Sequence, residues 1–184
     1  MFIQTEVTPN PATLKFLPGR NVLDGTLEMT DRDQATKSPL AEKLFDIPNV
    51  SGVFFGSDFI TVTKNAGEWQ QLKPLILAAI MEHYMSGVPL LREGTDADAA
   101  EGEFFDAADE ETVNTIKELI ETRVRPAVAN DGGDITFRGF KDGVVFLSMK
   151  GACSGCPSST ATLKHGIQNL LRHFVPDVTE VRPI

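Results

Sequence analysis

Ile135-Thr136-Phe137-Arg138-Gly139-Phe140-Lys141-Asp142-Gly143-Val144-Val145-Phe146-Leu147-Ser148-Met149 is the stretch that decides how the second half of this chain folds. Apolar residues alternate on either side of Asp142-Gly143, and an Asp-Gly pair between two such runs marks a two-residue hairpin turn. The reading is a strand Ile135–Phe140, a turn, and a returning strand Val144–Met149. Upstream, Glu110–Val124 places Val113, Ile116, Leu119, Ile120 and Val124 on one helical face, with acidic residues in the first turn where the helix dipole favours them. Pro126 is expected to kink or end that helix. Asp131-Gly132-Gly133-Asp134 then reverses the chain into the hairpin. Downstream, Gly151-Ala152-Cys153-Ser154-Gly155-Cys156-Pro157 leads into a helix from about Ser158 to Phe174 and a final strand, Val178–Arg182. The order is α-β-β-α-β.

The first half reads as a separate α+β unit. Phe2–Val7 and Thr13–Phe16 are strands around the turn Thr8-Pro9-Asn10-Pro11. Ser38-Pro39 opens a short helix that ends near Phe45, with serine as cap and proline at the first position. A second hairpin, Gly52–Phe55 and Phe59–Thr63, crosses Gly56-Ser57-Asp58. A helix from about Glu68 to Met85 carries Leu72, Leu75, Ile76, Ala79, Ile80 and Tyr84 at helical spacing. Helix, hairpin, loop and helix thus recur in both halves without convincing residue identity.

Charge marks the join. The net charge is −9, and the stretch from Arg92 to Glu111 holds nine carboxylates (Glu93, Asp96, Asp98, Glu101, Glu103, Asp106, Asp109, Glu110, Glu111) against Arg92 alone. That stretch accounts for −8 and leaves about −1 elsewhere, a near-neutral remainder with no basic nucleic-acid footprint and no polybasic membrane patch. Repelling like charges and the absence of periodicity make 91–108 an expected acidic, flexible linker, between a domain at 1–90 and another at 109–184. Phe104-Phe105 interrupts it and reads as a local hydrophobic dock. The fold class is α+β, two small mixed domains. No run reaches the roughly 18 apolar residues of a membrane helix. Met1-Phe2-Ile3-Gln4-Thr5-Glu6-Val7 has neither a cationic region nor an apolar signal core, so a cytoplasmic location is expected.

The chain has two cysteines, Cys153 and Cys156, and they stand as C-x-x-C. Between a strand and a helix start, unpaired N–H groups and the helix dipole favour thiolate, so both thiols are expected to ionise readily. Three readings stay open on spacing alone. A pair of thiolates is half of a four-thiolate metal or iron–sulfur site, completed by a second copy of the chain. It can also serve as a thiol–disulfide oxidoreductase dithiol, the runner-up reading, or be incidental. His83, His165 and His173 read as ordinary helix residues and not as completing ligands. The carboxylates of Asp131 and Asp134 are too few for a calcium site, so that turn reads as structural, with Asp134 hydrogen-bonding locally. Trp69, Met81 and Tyr84 read as packing and surface residues.

Residues Val124-Arg125-Pro126-Ala127-Val128-Ala129-Asn130-Asp131-Gly132-Gly133-Asp134, then Gly151 to Ser159, then Thr162-Leu163-Lys164-His165-Gly166-Ile167, closely resemble the carboxy-terminal domain of the Nfu/NifU iron–sulfur carrier family. Gln4-Thr5-Glu6-Val7-Thr8-Pro9-Asn10-Pro11 and Leu14-Lys15-Phe16 are similar to the Nfu-type amino-terminal domain. The resemblance spans nearly all of the chain outside the linker. It implies a [4Fe–4S] cluster, one per homodimer, bridged by Cys153 and Cys156 of each protomer. It further implies receipt from an upstream scaffold protein and delivery to recipient apo iron–sulfur enzymes, with no enzyme activity of its own. The separate U-type scaffold domain of long NifU proteins has no counterpart in these residues, so carriage is expected and not de novo assembly.

Overall fold

The structure is a computed structural model that describes residues 2–95, 103–152 and 157–184, with the backbone alone over 157–160. The chain divides into two compact units, Met1–Ala99 and Ala100–Ile184.

Unit 1 is a five-stranded antiparallel sheet covered on one face by helices. Its strands are β1 (Gln4–Val7), β2 (Thr13–Leu17), β3 (Leu27–Met29), β4 (Val50–Phe55) and β5 (Ile60–Lys64), in the order β1-β2-β5-β4-β3. Its helices are α1 (Arg32–Ala35), α2 (Pro39–Phe45) and α3 (Trp69–Ser86). Register explains the core. Leu14 pairs with Val62, Val62 with Val53 and Val53 with Met29, while Phe16, Ile60, Phe55 and Leu27 form the adjacent row. Period-2 alternation sends both rows to one face, where Leu40, Ala41 and Leu44 of α2 and Leu72, Ile76 and Ile80 of α3 close over them.

The local signals for α2 act as expected: Ser38 caps it by accepting from the Ala41 N–H at 3.2 Å, with Pro39 at the first turn. On α3 the buried stripe runs Leu72, Ile76, Ile80 and His83, and Leu75 is half exposed, so that leucine does not share the core face. Two elements, β3 and α1, lie where no periodicity announced them. They are three and four residues long, too short for a repeat to register.

Unit 2 contains α4 (Glu110–Leu119), a π turn (Ile120–Val124), α5 (Arg125–Asn130), β6 (Gly133–Lys141), β7 (Val144–Gly151), α6 (Pro157–Phe174) and β8 (Glu180–Pro183). Pro126 neither ends nor breaks the helix. The Arg125 N–H donates to the Ile120 carbonyl, five residues back, and the chain continues as α5. A π register absorbs the residue that a proline ring would otherwise force out of the ladder. The hairpin forms as expected, with Asp142 and Gly143 at φ 52° and 80° in the left-handed region that such a tight turn requires.

Beta-6 also carries a bulge between Phe137 and Gly139. Strict alternation would bury 135, 137 and 139; the extra residue resets it, so that Ile135, Phe137 and Phe140 face inward opposite Met149, Leu147 and Val145. The core is completed by Val113, Ile116, Ile120, Val124 and Val128 from the helical run and by Ile167 and Leu171 from α6.

The sheet order is β6-β7-β8, antiparallel between the first two and parallel between β7 and β8. Chain passage from β7 through α6 to β8 is therefore a strand–helix–strand crossover, which the hairpin alone did not reveal.

Two segments inside the expected linker are docked. The Arg92 N–H donates to the Lys37 carbonyl and its guanidinium to the Thr36 carbonyl and to Glu42. On the other side, Glu103 pairs with Lys117 at 2.9 Å, and Phe104 exchanges backbone bonds with Arg138 and Phe140 beside β6. Its ring packs against Phe146, 5.2 Å between centroids. Residues 96–102 of the acidic segment lie outside the described residues.

Candidate functional site

Cys153 and Cys156, the site residues expected from the sequence, lie outside the described residues, together with Ser154 and Gly155. What the structure describes is the frame on either side. Strand β7 ends at Gly151 and helix α6 begins at Pro157. The intervening thiols therefore follow a strand end and immediately precede the first turn of an 18-residue helix.

The strand side of this frame is built from the Asp131–Asp134 turn. After α5, Gly132 adopts φ 82°, the left-handed residue that ends a helix, and its N–H donates to the Ala129 carbonyl at 3.0 Å. The Gly132 carbonyl then accepts from the Ala152 N–H at 3.2 Å. Gly133 pairs with Gly151 and Asp134 with Lys150. Ala152 is 2% exposed. The turn is thus the neighbour that meets the chain at the last two residues before Cys153.

Asp131 and Asp134 do not converge. Asp131 is exposed and Asp134 is 5% exposed, and the latter is consumed internally. Its carboxylate accepts from Arg125 Nε at 2.9 Å, from the second Arg125 terminal nitrogen at 3.1 Å, and from the Ile135 N–H at 2.8 Å. The other Arg125 terminal nitrogen donates to Glu121 at 2.7 Å. These bonds, the Asp134 one foremost, push the Arg125 pKa above its ordinary value against the effect of burial. Local hydrogen bonding by Asp134 was expected; Arg125 as its partner was not. The pair is nine residues apart across a π turn, and only Arg-Pro upstream of the aspartate turn hinted at it.

On the helix side, α6 is fixed to the sheet through its partner strand. The Val181 N–H donates to Gln168 Oε1 at 3.2 Å, and Lys164 lies 3.6 Å from Glu180.

Two of the three histidines lie on α6 and the third in unit 1. His83 is 2% exposed on α3 in unit 1, edge-on to Tyr84. His165 and His173 are exposed on α6, with His173 edge-on to Phe174 at 4.9 Å. Among the described residues no three His, Cys, Asp or Glu side chains come together as a metal site. Trp69 hydrogen-bonds the Pro11 carbonyl through Nε1 at 3.0 Å, a packing role. Beside it, an open groove of about 510 Å³ runs past Thr5, Val7, Asn10 and Lys73 in unit 1. No helix among the described residues is long and apolar enough to cross a membrane.

Known proteins resemble this chain along its length. The domain described as scaffold protein Nfu/NifU N terminal matches residues 3–87, and the NifU-like domain matches residues 116–182. The NFU1 iron-sulfur cluster scaffold homolog, mitochondrial, of Homo sapiens is 50% identical over 187 residues, an alignment covering 100% of this chain and 72% of that protein. The protein of the same name in Drosophila sechellia is 49% identical and again aligned over 100% of this chain, which spans 65% of its length. Among solved structures, a NifU-like protein from Saccharomyces cerevisiae superposes with a TM-score of 0.44 at 27% identity, over 50% of this chain and 86% of that one.

Proposed function

This chain belongs to the Nfu/NifU family of iron–sulfur cluster scaffold proteins, and from that premise we propose that it carries a [4Fe–4S] cluster to apo iron–sulfur proteins and is not an enzyme. Cys153 and Cys156 from each of two copies are the proposed ligands. The observation that carries the reading is the placement of the chain's only two cysteines, inside the NifU-like domain, between the end of β7 and the start of α6. Two thiolates cannot fill four iron positions, so a second chain supplies the rest.

In this scheme the cluster is cargo. An upstream scaffold protein delivers it, and the thiolates hold it while the two chains stay together. A recipient's thiolates then displace Cys153 and Cys156 pair by pair; each iron exchanges one sulfur ligand for another, and the departing thiolate takes a proton from solvent. No electron moves. Sharing the site between two chains suits release, because parting the dimer removes half of the ligands. A reducing compartment keeps both thiols free; the cytoplasm is our proposed one, while the human and Drosophila relatives are named mitochondrial. Cell fractionation distinguishes them.

The strand–helix–strand crossover at the thiols is also a setting in which a dithiol could work. Family membership favours carriage, and nothing among the described residues favours redox turnover over it.

Anaerobic reconstitution followed by iron and sulfide counting and light scattering tests the proposal. The expected holo form is a dimer with one cluster per two chains, and it activates an apo [4Fe–4S] enzyme in the presence of an iron chelator. A monomer retaining a full cluster would overturn the shared site. Complete block by chelator, together with disulfide turnover by the metal-free protein, would replace carriage with redox chemistry.

A further inference from the structure

We propose that Arg125 and Asp134 are positioning residues for the backbone at Gly151 and Ala152 that leads into Cys153, and that their ion pair sets how long the cluster is held. This rests on the carrier reading above and adds to it the device that orders the loop's strand-side anchor.

Asp134 is 5% exposed and accepts three hydrogen bonds, two from Arg125 and one from the Ile135 N–H. A buried ion pair is a poor way to gain stability, since apolar residues of similar volume do as well. What the pair supplies is geometry: the guanidinium fork fixes orientation as well as distance. Arg125 is itself held in place. Its N–H closes the π turn onto Ile120, Pro126 follows it, and Glu121 engages the fork's remaining terminal nitrogen. The helix side of the clamp is therefore itself held by a backbone bond and a side-chain bond.

The strand side leads straight to the thiols. Asp134 pairs with Lys150, Gly133 with Gly151, and the Gly132 carbonyl receives the Ala152 N–H. Both glycines lack side chains, so packing cannot fix them. They are held from one direction by the end of α5 and from the other by Asp134. Releasing Asp134 frees the first pairs of β6, and with them the backbone contact that orders Ala152, the residue before Cys153. Groups bonded directly to metal ligands typically change affinity about 10–100-fold when lost; the clamp acts further out, through Gly132 and Ala152, so an effect at the low end of that range is expected.

The test uses the full chain with Asp134→Asn, which keeps shape but loses the charge, and Arg125→Lys, which keeps charge but loses the fork. Val145→Ala is the control: it thins the same core, where Val145 is 0% exposed, without touching the clamp. Three quantities are read: cluster loss from the reconstituted dimer to a chelator, amide exchange at Ala152 in metal-free protein, and Tm. Both clamp variants are expected to lose the cluster about tenfold faster than wild type and to exchange faster at Ala152, whereas Val145→Ala at a matched drop in Tm does neither. Clamp variants no faster than Val145→Ala would make the pair merely structural and overturn the proposal. If Asp134→Asn fails to fold, Arg125→Lys decides it, and so does wild-type exchange: Ala152 and Ile135 amides should open together, and independent opening would sink the clamp. A wild-type protein that takes up no cluster would defeat the carrier reading, while the Ala152 exchange still decides whether the clamp orders the strand end before Cys153.

Discussion

Replacing one cysteine of this chain removes half of the ligands in a four-thiolate site shared by two copies, because the loss occurs in each copy and only two of the four thiolates remain. Cys153→Ser and Cys156→Ser are accordingly expected to abolish cluster retention equally. His165→Ala and His173→Ala should keep it, since both imidazoles are exposed along α6. Visible absorbance and iron content after desalting check this; a histidine variant that folds but loses the cluster would break the four-cysteine assignment. His83 makes a different, pH-dependent contribution. Burial, and secondarily Lys43, hold its pKa below the ordinary 6.5. The unfolded chain then binds more protons than the folded one as pH falls below 6.5. The stability tied to neutral His83 is present above that pH and is lost as pH falls through the folded value. The Tm of the proposed 1–90 domain should drop on acidification below that point, and His83→Leu should flatten the drop. An unchanged acid slope in the variant would show that other groups carry it.

Among elements, the edge of β6 is the informative one. An uncovered edge strand invites pairing with other chains, and here Phe104 covers it through backbone bonds to Arg138 and Phe140. The ring lies where a side chain at 139 would be: a Cβ built on Gly139 falls 2.4 Å from it. Gly139→Ala should therefore expel the Phe104 ring while leaving β6 and β7 paired, at a cost of about 1 kcal/mol for a half-buried aromatic. Limited proteolysis near residues 103–106 and amide exchange at Phe104 should both accelerate. If neither changes, the ring has another place to pack and the cover does not depend on the glycine.

For the whole molecule, the proposed division into 1–90, 91–108 and 109–184 predicts that each end folds alone and that the carboxy-terminal piece binds the cluster without the other. The docked ends of the acidic segment sharpen this. A fragment starting at Glu103 retains the Lys117 contact and the Phe104 cover, whereas one starting at Asp109 loses both. The longer fragment should melt higher, and both should take up iron. Equal melting temperatures would show that the cover contributes nothing to stability. Proteolysis that cuts first inside either core, rather than between 93 and 102, would refute the division.

Reading the sequence alone determined the features whose causes are local. The Asp142-Gly143 hairpin, the Ser38-Pro39 helix start, the amphipathic run from Val113 to Val124, and the strand end and helix start that flank the cysteine pair each depend on residues within a few positions of one another. The family followed from motifs of the same local kind. Tertiary structure decided the rest, because the deciding partners are distant along the chain. The π turn that carries the helix past Pro126, the bulge that turns Phe140 inward, and the fork from Arg125 to Asp134 are settled by which register buries the most apolar surface. The parallel placement of β8 beside β7 depends on α6 packing across the sheet. Phe104 reaches Gly139 only once that sheet exists. Propensity is summed over neighbours in sequence, whereas an edge, a crossover or a buried ion pair exists only after folding has made neighbours of residues that were not.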